Sequence, residues 1–294
     1  MKYFIHVLLK NFHMEKNSII EPSSLSVFGS SGFIGSRYCE KYPNTIKIQR
    51  DNRLPQSKNI LYFISAVDNS AVLDGDIHKY VDTNLKILIE VLINCKNNNI
   101  IFNFISSCFV YGDCELPASE NTFCNPKGFY SITKRCAEQL LISFCNTFDI
   151  NFRILRLCTV YGPGDKKVSK KKNAIQYIIN EIKQNRDVNL YDNGEHTRDM
   201  MHVDDVCNSI NMIITKSGLN QIYNVGSGRP TKIRDVVEIA KSLSNSTSKI
   251  HSIDTPKFHT IVSPKNFYMN IDKLTNLGFK QKITLEEGIT QLCH

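Results

Sequence analysis

Short apolar runs recur along the first half of the chain, and segments with apolar residues at helical spacing lie between them. Leu25-Ser26-Val27-Phe28 reads as a first strand that runs into Gly29-Ser30-Ser31-Gly32-Phe33-Ile34-Gly35, and Ser36 to Tyr42 as a helix stopped by Pro43. Thr45 to Ile48 forms a second strand. Asn59 to Ile64 and Ile100 to Ile105 are almost wholly apolar, as expected of strands covered on both faces. Between them, Val81, Leu85, Leu88, Ile89 and Leu92 mark one face of a helix over residues 80–95. A further helix spans Tyr130 to Phe144, and Asn151 to Leu157 is the next strand.

Strands alternating with helices imply right-handed crossovers and an α/β, doubly wound parallel sheet. The stretch from Ile48 to Asn59 is too short to hold another helix and strand, so the sheet is expected to lack an element beside its second strand. After Pro163-Gly164 the pattern turns irregular, which implies a smaller second lobe. The division expected is an N-terminal extension over 1–23, a first domain over 24–165 and a second lobe over most of 166–294.

Composition changes this picture little. The chain has 294 residues, 41% hydrophobic and 22% charged, an ordinary globular balance. No apolar run approaches the roughly 18 residues of a membrane span. The opening Met1 to Lys10 has a short apolar stretch with a histidine and no small-residue cleavage site. It reads as a short helix or an extension before an internal start at Met14, not a secretory signal. Ten cysteines lack CxxC or Cys/His ligand spacing, which excludes a zinc site and fits reduced thiols in a cytoplasm. The net charge of +8, part of it in the lysine-rich run 166–172, permits an anionic partner, but no nucleic-acid motif accompanies it.

Two constellations carry chemistry. Gly29, Gly32 and Gly35, with Phe33 and Ile34 between the last two, lie between a strand and a helix, as in a loop that cradles a dinucleotide pyrophosphate. After the second strand come Gln49-Arg50-Asp51-Asn52-Arg53. An acid there would bind the ribose hydroxyls of NAD, and an arginine the 2′-phosphate of NADP; Arg50 ahead of Asp51 favours NADP. Further on, Tyr130 and Lys134 stand four apart on one helix face, where an ammonium would favour the phenolate and make the pair a proton shuttle. Asp204 and Asp205 precede an apolar helix, Val206 to Ile214, and read as capping residues.

With these residues the chain, from Leu25 onward, resembles an extended short-chain dehydrogenase/reductase of the nucleotide-sugar epimerase/dehydratase family. The resemblance implies a Rossmann-like sheet with a smaller C-terminal substrate-binding lobe, from which segments around 200–228 return to the sheet. It implies that Ser65, Ala66 and Asn84 contact the NAD(P) and that Ser107, four residues before the tyrosine of Val110-Tyr111-Gly112, joins Tyr130 and Lys134 in catalysis. Thr159, Asn173, Ala174, Tyr191 and Arg198 would meet a nucleoside-diphosphate sugar, with Arg198 on the diphosphate. A homodimer through the helices that include the Tyr130 one is implied as well.

Three departures from the family pattern bear on function. Thr159 replaces an asparagine. A second diphosphate-binding arginine is missing before Phe267, leaving Lys257, His259 or Lys265 to substitute. Cys108-Phe109 replaces the Asp-Glu pair of the 4,6-dehydratases, which disfavours water elimination. The expected activity is a 4-epimerase, with an NADPH-dependent 4-ketoreductase as the alternative and a non-catalytic, nucleic-acid-binding or regulatory family member as the third reading.

Overall fold

The computed structural model describes residues 21–67, 73–96, 98–165 and 174–294. Residues 1–20 of the extension expected over 1–23, the lysine-rich run and Asn173 lie outside them, and residues 21–23 belong to the first strand.

Six parallel strands form the central sheet. In chain order they are β1 (Glu21–Phe28), β2 (Thr45–Lys47), β3 (Ser57–Tyr62), β4 (Ile101–Ser107), β5 (Asn151–Leu157) and a last strand, Gln221–Val225. Their order across the sheet is Gln221–Val225, β5, β4, β3, β1, β2. The sheet therefore ends at β2, and the chain passes directly from β2 to β3 on the other side of β1, as the short Ile48–Asn59 stretch implied. β1 starts earlier than the apolar pattern showed. Glu21 pairs with Ser57 and Leu25 with Asn59, so the register shifts between them, and the polar stretch over 21–24 gives no period-2 signal from which to read this part of the strand.

Successive strand residues face opposite layers, as a pleat requires. Val27, Leu61, Ile105 and Leu155 pack with Tyr38, Val206 and Ile210 of the helices Phe33–Lys41 and Val203–Lys216. Their neighbours Phe28, Ile60, Phe104 and Ile154 pack with Leu88, Val91, Ala137 and Leu141 on the other face. There the helix over 78–93 contains a π turn, Asp82–Lys86, and lies beside the long helix Gly128–Thr147. A separate apolar cluster joins the helices Ala174–Lys183, Ile233–Leu243 and Leu285–Cys293 to the paired strands Val188–Tyr191 and Ile250–Ile253.

The aspartates at 204 and 205 do not cap their helix. His202 is the N-cap, with Nδ1 accepting from the Asp204 amide at 3.2 Å. Asp204 instead grips Arg37 of the glycine-loop helix at 2.6 and 2.9 Å, and Asp205 accepts the amides of Lys282 and Ile283. The helix begins three residues earlier than its apolar stretch, which places both acids inside its first turn, where they complement the dipole.

Candidate active site

The C-terminal ends of β1, β3 and β4 converge on the site. Gly29 turns the chain with φ +80°, and a Cβ on Gly35 would run into the Gly29 carbonyl oxygen. Both glycines are thus required by the backbone. The helix Phe33–Lys41 opens at Gly32 without a side-chain cap, so its first amides face the loop, as pyrophosphate binding needs. This loop fits a dinucleotide. A Gly35→Ala variant should weaken NAD(P) binding about tenfold or more by separating helix from loop, read by calorimetric titration; unchanged affinity would refute this role for the loop.

Arg50 and Asp51 are exposed in the turn after β2. Arg53 is not simply solvent-exposed: it pairs with Glu90 at 2.8 Å and donates to the Arg50 carbonyl at 2.7 Å. Its place beside Glu90 depends on tertiary packing that no local pattern encodes.

Asn84 is almost fully buried and acts as a clamp. Its Oδ1 accepts from the Ala66 amide at 2.7 Å and from Ser65 Oγ at 3.2 Å, while its Nδ2 donates to Thr133 Oγ1 at 2.9 Å. It therefore ties the end of β3 to the Tyr130 helix from within the π turn, a device common at functional sites. These contacts are all to protein, so any part it plays toward a cofactor runs through Ser65 and Ala66.

Tyr130 and Lys134 share the buried face of the helix Gly128–Thr147. The Tyr130 phenol lies near the Ser107 and Ser65 side chains, whose hydroxyls favour its ionised form, and its ring meets Phe109 edge-on at 6.4 Å. Burial pushes its pKa up to about 12 against the influence of those two hydroxyls. Lys134 Nζ donates to the Ile105 carbonyl at 2.6 Å and lies 4.2 Å from the centre of the Phe104 ring. Burial lowers its pKa to about 7, opposed by the charge of Glu138. Spacing alone implied an ammonium that depresses the phenol. In the fold, desolvation of the enclosed phenol is the dominant influence on Tyr130 and raises its pKa instead.

Opposite this pair, Cys108, Phe109, Thr159, Arg198, Asp199, Pro264 and Phe267 line a small cavity. It brings the strand end after Ser107 together with Thr159 and Arg198. The Arg198 guanidinium donates to the carbonyls of Thr197 and Lys265 and to Ser263 Oγ at 2.8–3.0 Å. Among the described residues no carboxylate pairs with it. Asp199, the neighbour that could have done so, is occupied: it accepts from the amides of Ser227, Gly228 and Met269 and from Ser227 Oγ. Burial lowers the Arg198 pKa and raises that of Asp199.

Tyr191 is partly exposed and packs 5.1 Å from His259. Lys265 accepts Arg198 through its carbonyl and approaches Asp192 with Nζ at 3.9 Å. Lys257 begins a short helix, Lys257–Val262. Of the three cationic substitutes for the missing arginine, Lys265 is thus tied to Arg198 directly. Ala174 is exposed at the start of its helix.

Two contributors escaped sequence reasoning. Asp199 knits three separate segments together and has no local pattern. Glu138 continues the Tyr130–Lys134 spacing by one more turn, a signal that was present in the sequence.

A parallel nucleotide-binding sheet with a glycine loop after β1 and a Ser-Tyr-Lys set beside β4 defines an NAD(P)-binding, short-chain dehydrogenase/reductase-type enzyme. The model of the NAD dependent epimerase/dehydratase family matches residues 56–226, and the chain belongs to that family. An uncharacterized UDP-glucose epimerase, YtcB of Bacillus subtilis, is 24% identical over 90% of this chain and 95% of its own length. A putative UDP-glucose 4-epimerase of Methanocaldococcus jannaschii is 28% identical over 78% of this chain and 71% of its own. Among solved structures, the UDP-N-acetylglucosamine 4-epimerase of Methanobrevibacter ruminantium superposes with TM-score 0.83 at 21% identity, covering 93% of this chain and 98% of the other. RMD from Pseudomonas aeruginosa, complexed with NADPH, does so with TM-score 0.78 at 21% identity, covering 92% and 97%. These likenesses establish the common fold.

Proposed function

We propose that the chain is a nucleotide-sugar 4-epimerase. The observation that carries the reading is a single cavity bounded by the strand end after Ser107 and by Arg198, a guanidinium held by carbonyl and hydroxyl oxygens, with the proton-transfer pair alongside. An arginine so placed fits a diphosphate, which would supply the anionic partner in a charge-assisted contact. Thr159, Ala174, Tyr191 and Asn173 complete the substrate side of this reading, and residues 24–165 and most of 166–294 its two lobes.

A dinucleotide held at the Gly29–Gly35 loop would supply reversible hydride exchange with the sugar carbon. Tyr130 Oη takes the proton of the reacting hydroxyl and gives it back. Ser107 Oγ orients the same oxygen and polarises it while it is a carbonyl. Lys134 supplies the positive charge that makes the phenolate accessible, and it would hold the nicotinamide ribose of a bound cofactor. Cys108 and Phe109 offer no acid or base for elimination, since burial pushes the Cys108 thiol up to about 12.

The exposed Arg50 favours a second reading, an NADPH-dependent 4-ketoreductase. Incubation with UDP-, GDP-, CDP- and dTDP-sugars, with and without NAD(P)H, separates the two by mass spectrometry and NMR. An isomer of equal mass is expected. A gain of two hydrogens would replace the epimerase reading by the reductase one, and no conversion of any sugar would reject both.

A homodimer belongs to the same reading. Phe129, Ile132 and Leu140 on the Tyr130 helix and Ile89 and Ile93 on its neighbour leave apolar side chains exposed on adjacent helices. A cytoplasmic location also belongs to it. Among the described residues no helix is long and apolar enough to cross a membrane, and all ten cysteines are free.

A further inference from the structure

Tyr130, Lys134 and Glu138 stand at four-residue intervals on one helix, with 8%, 2% and 0% of their surface exposed. Each meets a different one of three consecutive residues at the end of β4. Lys134 donates to the Ile105 carbonyl at 2.6 Å, Glu138 accepts from the Ser106 hydroxyl at 2.6 Å, and the Tyr130 phenol lies near the Ser107 side chain. The helix and strand are thus fastened by hydrogen bonds at Lys134 and Glu138, one and two turns beyond Tyr130.

The Glu138 carboxylate is fully engaged. Oε1 accepts from Ser106 Oγ and from Arg156 Nε at 3.0 Å; Oε2 accepts from Arg156 Nη2 at 2.8 Å and Arg135 Nη1 at 2.7 Å. Burial works against its charge, but the bonds from Arg156, Ser106 and Arg135 prevail and hold it below the usual carboxylate range. Arg156 comes from β5 and lies over the Tyr111 ring at 4.7 Å, and Tyr111 Oη in turn donates to Asn224 at 2.6 Å. So the carboxylate is fixed by groups from three elements and stays ionised next to an otherwise apolar lysine pocket.

We propose that Glu138 is a positioning residue for the Tyr130–Lys134 pair, fixing the catalytic helix against the Ser107 strand end and keeping Lys134 charged. The helical spacing puts an anion one turn from Nζ, while β4 presents only the Ile105 carbonyl and the Phe104 ring. Of the cations nearby, Arg135 on the same helix and Arg156 from β5 are bound to Glu138 itself; the turn after β4 contributes the thiol of Cys108 and the phenol of Tyr111. Among the described residues, Glu138 is the charge that opposes the deprotonation of Lys134 by burial.

The role in turnover rests on the epimerase reading, but the electrostatic part does not. The cofactor-free protein, with 15N-labelled lysine side chains, is followed by NMR against pH, and Lys134 is assigned by its loss in Lys134→Met. In wild type its midpoint is expected at about 7. Burial favours the neutral amine and Glu138 the ammonium, so removing Glu138 must move the midpoint down, by about one unit or more. Glu138→Gln tests this directly, and the double variant Glu138→Leu/Arg156→Met tests it with both fully buried charges of the pair removed together, Arg135 being partly exposed. Both should lower kcat about tenfold or more while leaving the sugar-nucleotide KM within about threefold, the pattern of a lost transition-state contribution. A folded double variant with the wild-type Lys134 midpoint and wild-type kcat overturns the proposal. A shifted midpoint in a protein that converts no nucleotide sugar supports the positioning role and rejects the epimerase reading instead.

Discussion

Replacing Tyr130 with phenylalanine is expected to reduce turnover by about 10²–10⁴-fold, the range that a positioned acid–base group contributes, while NAD(P) affinity stays within a few-fold. The substitution deletes one oxygen and keeps the ring, so the edge contact with Phe109 and the Lys134–Ile105 bond survive. What is lost is the single group poised between Ser107 and Ser65 to exchange a proton with the substrate. Because burial pushes this phenol up to about 12, it is neutral in the cofactor-free protein at pH 7. The positive charge of an oxidised nicotinamide and of Lys134 must therefore lower it before it can act as a base. Steady-state assays on the sugar identified by the substrate panel, paired with calorimetric cofactor titrations, check both halves. Wild-type turnover in the Phe variant would remove Tyr130 from the mechanism.

The largest effect on stability is expected from Arg156→Leu. Glu138 and Arg156 are 0% and 1% exposed and share two hydrogen bonds. Removing the arginine leaves a buried carboxylate with Ser106 and Arg135 as its remaining partners and deletes the contact with Tyr111. Breaking a buried pair in this way costs about 3–5 kcal/mol, whereas replacing both partners with apolar side chains is often neutral or stabilising. Arg156→Leu should therefore lower the unfolding free energy by about 3 kcal/mol or more, and Glu138→Leu/Arg156→Met should lie within about 1 kcal/mol of wild type or above it. The chain has no tryptophan, so urea unfolding is best followed by circular dichroism. A single variant as stable as wild type would mean that the pair is not coupled to folding.

Much of the sheet was legible because buried parallel strands are continuous apolar runs, and β3 and β4 each read that way. The missing element beside β2 followed from loop length alone. The glycine loop and the Tyr130–Lys134 spacing were legible for a related reason: backbone sterics and helical periodicity act over a few residues. What the sequence hid depends on contacts between distant segments. Asn84 reads as a cofactor contact by resemblance, yet its partners Ala66 and Thr133 lie 18 and 49 residues away. Asp204 reads as a cap by its position, but Arg37, 167 residues earlier, claims it. The absence of a carboxylate on Arg198 likewise depends on Asp199 being drawn off by the loop at 227–228 and by Met269.

Three side chains on successive turns of one helix also set where this protein can change in length. An insertion of one residue between Tyr130 and Lys134 would rotate everything downstream by about 100° and swing Lys134 and Glu138 away from the strand. The loop over 113–124 is closed off by the pairing of Gly112 with Asn125 before the helix begins, so residues added there leave the helix in phase. Natural variation in length among close homologues should therefore gather in that loop and be absent from the interval 130–138.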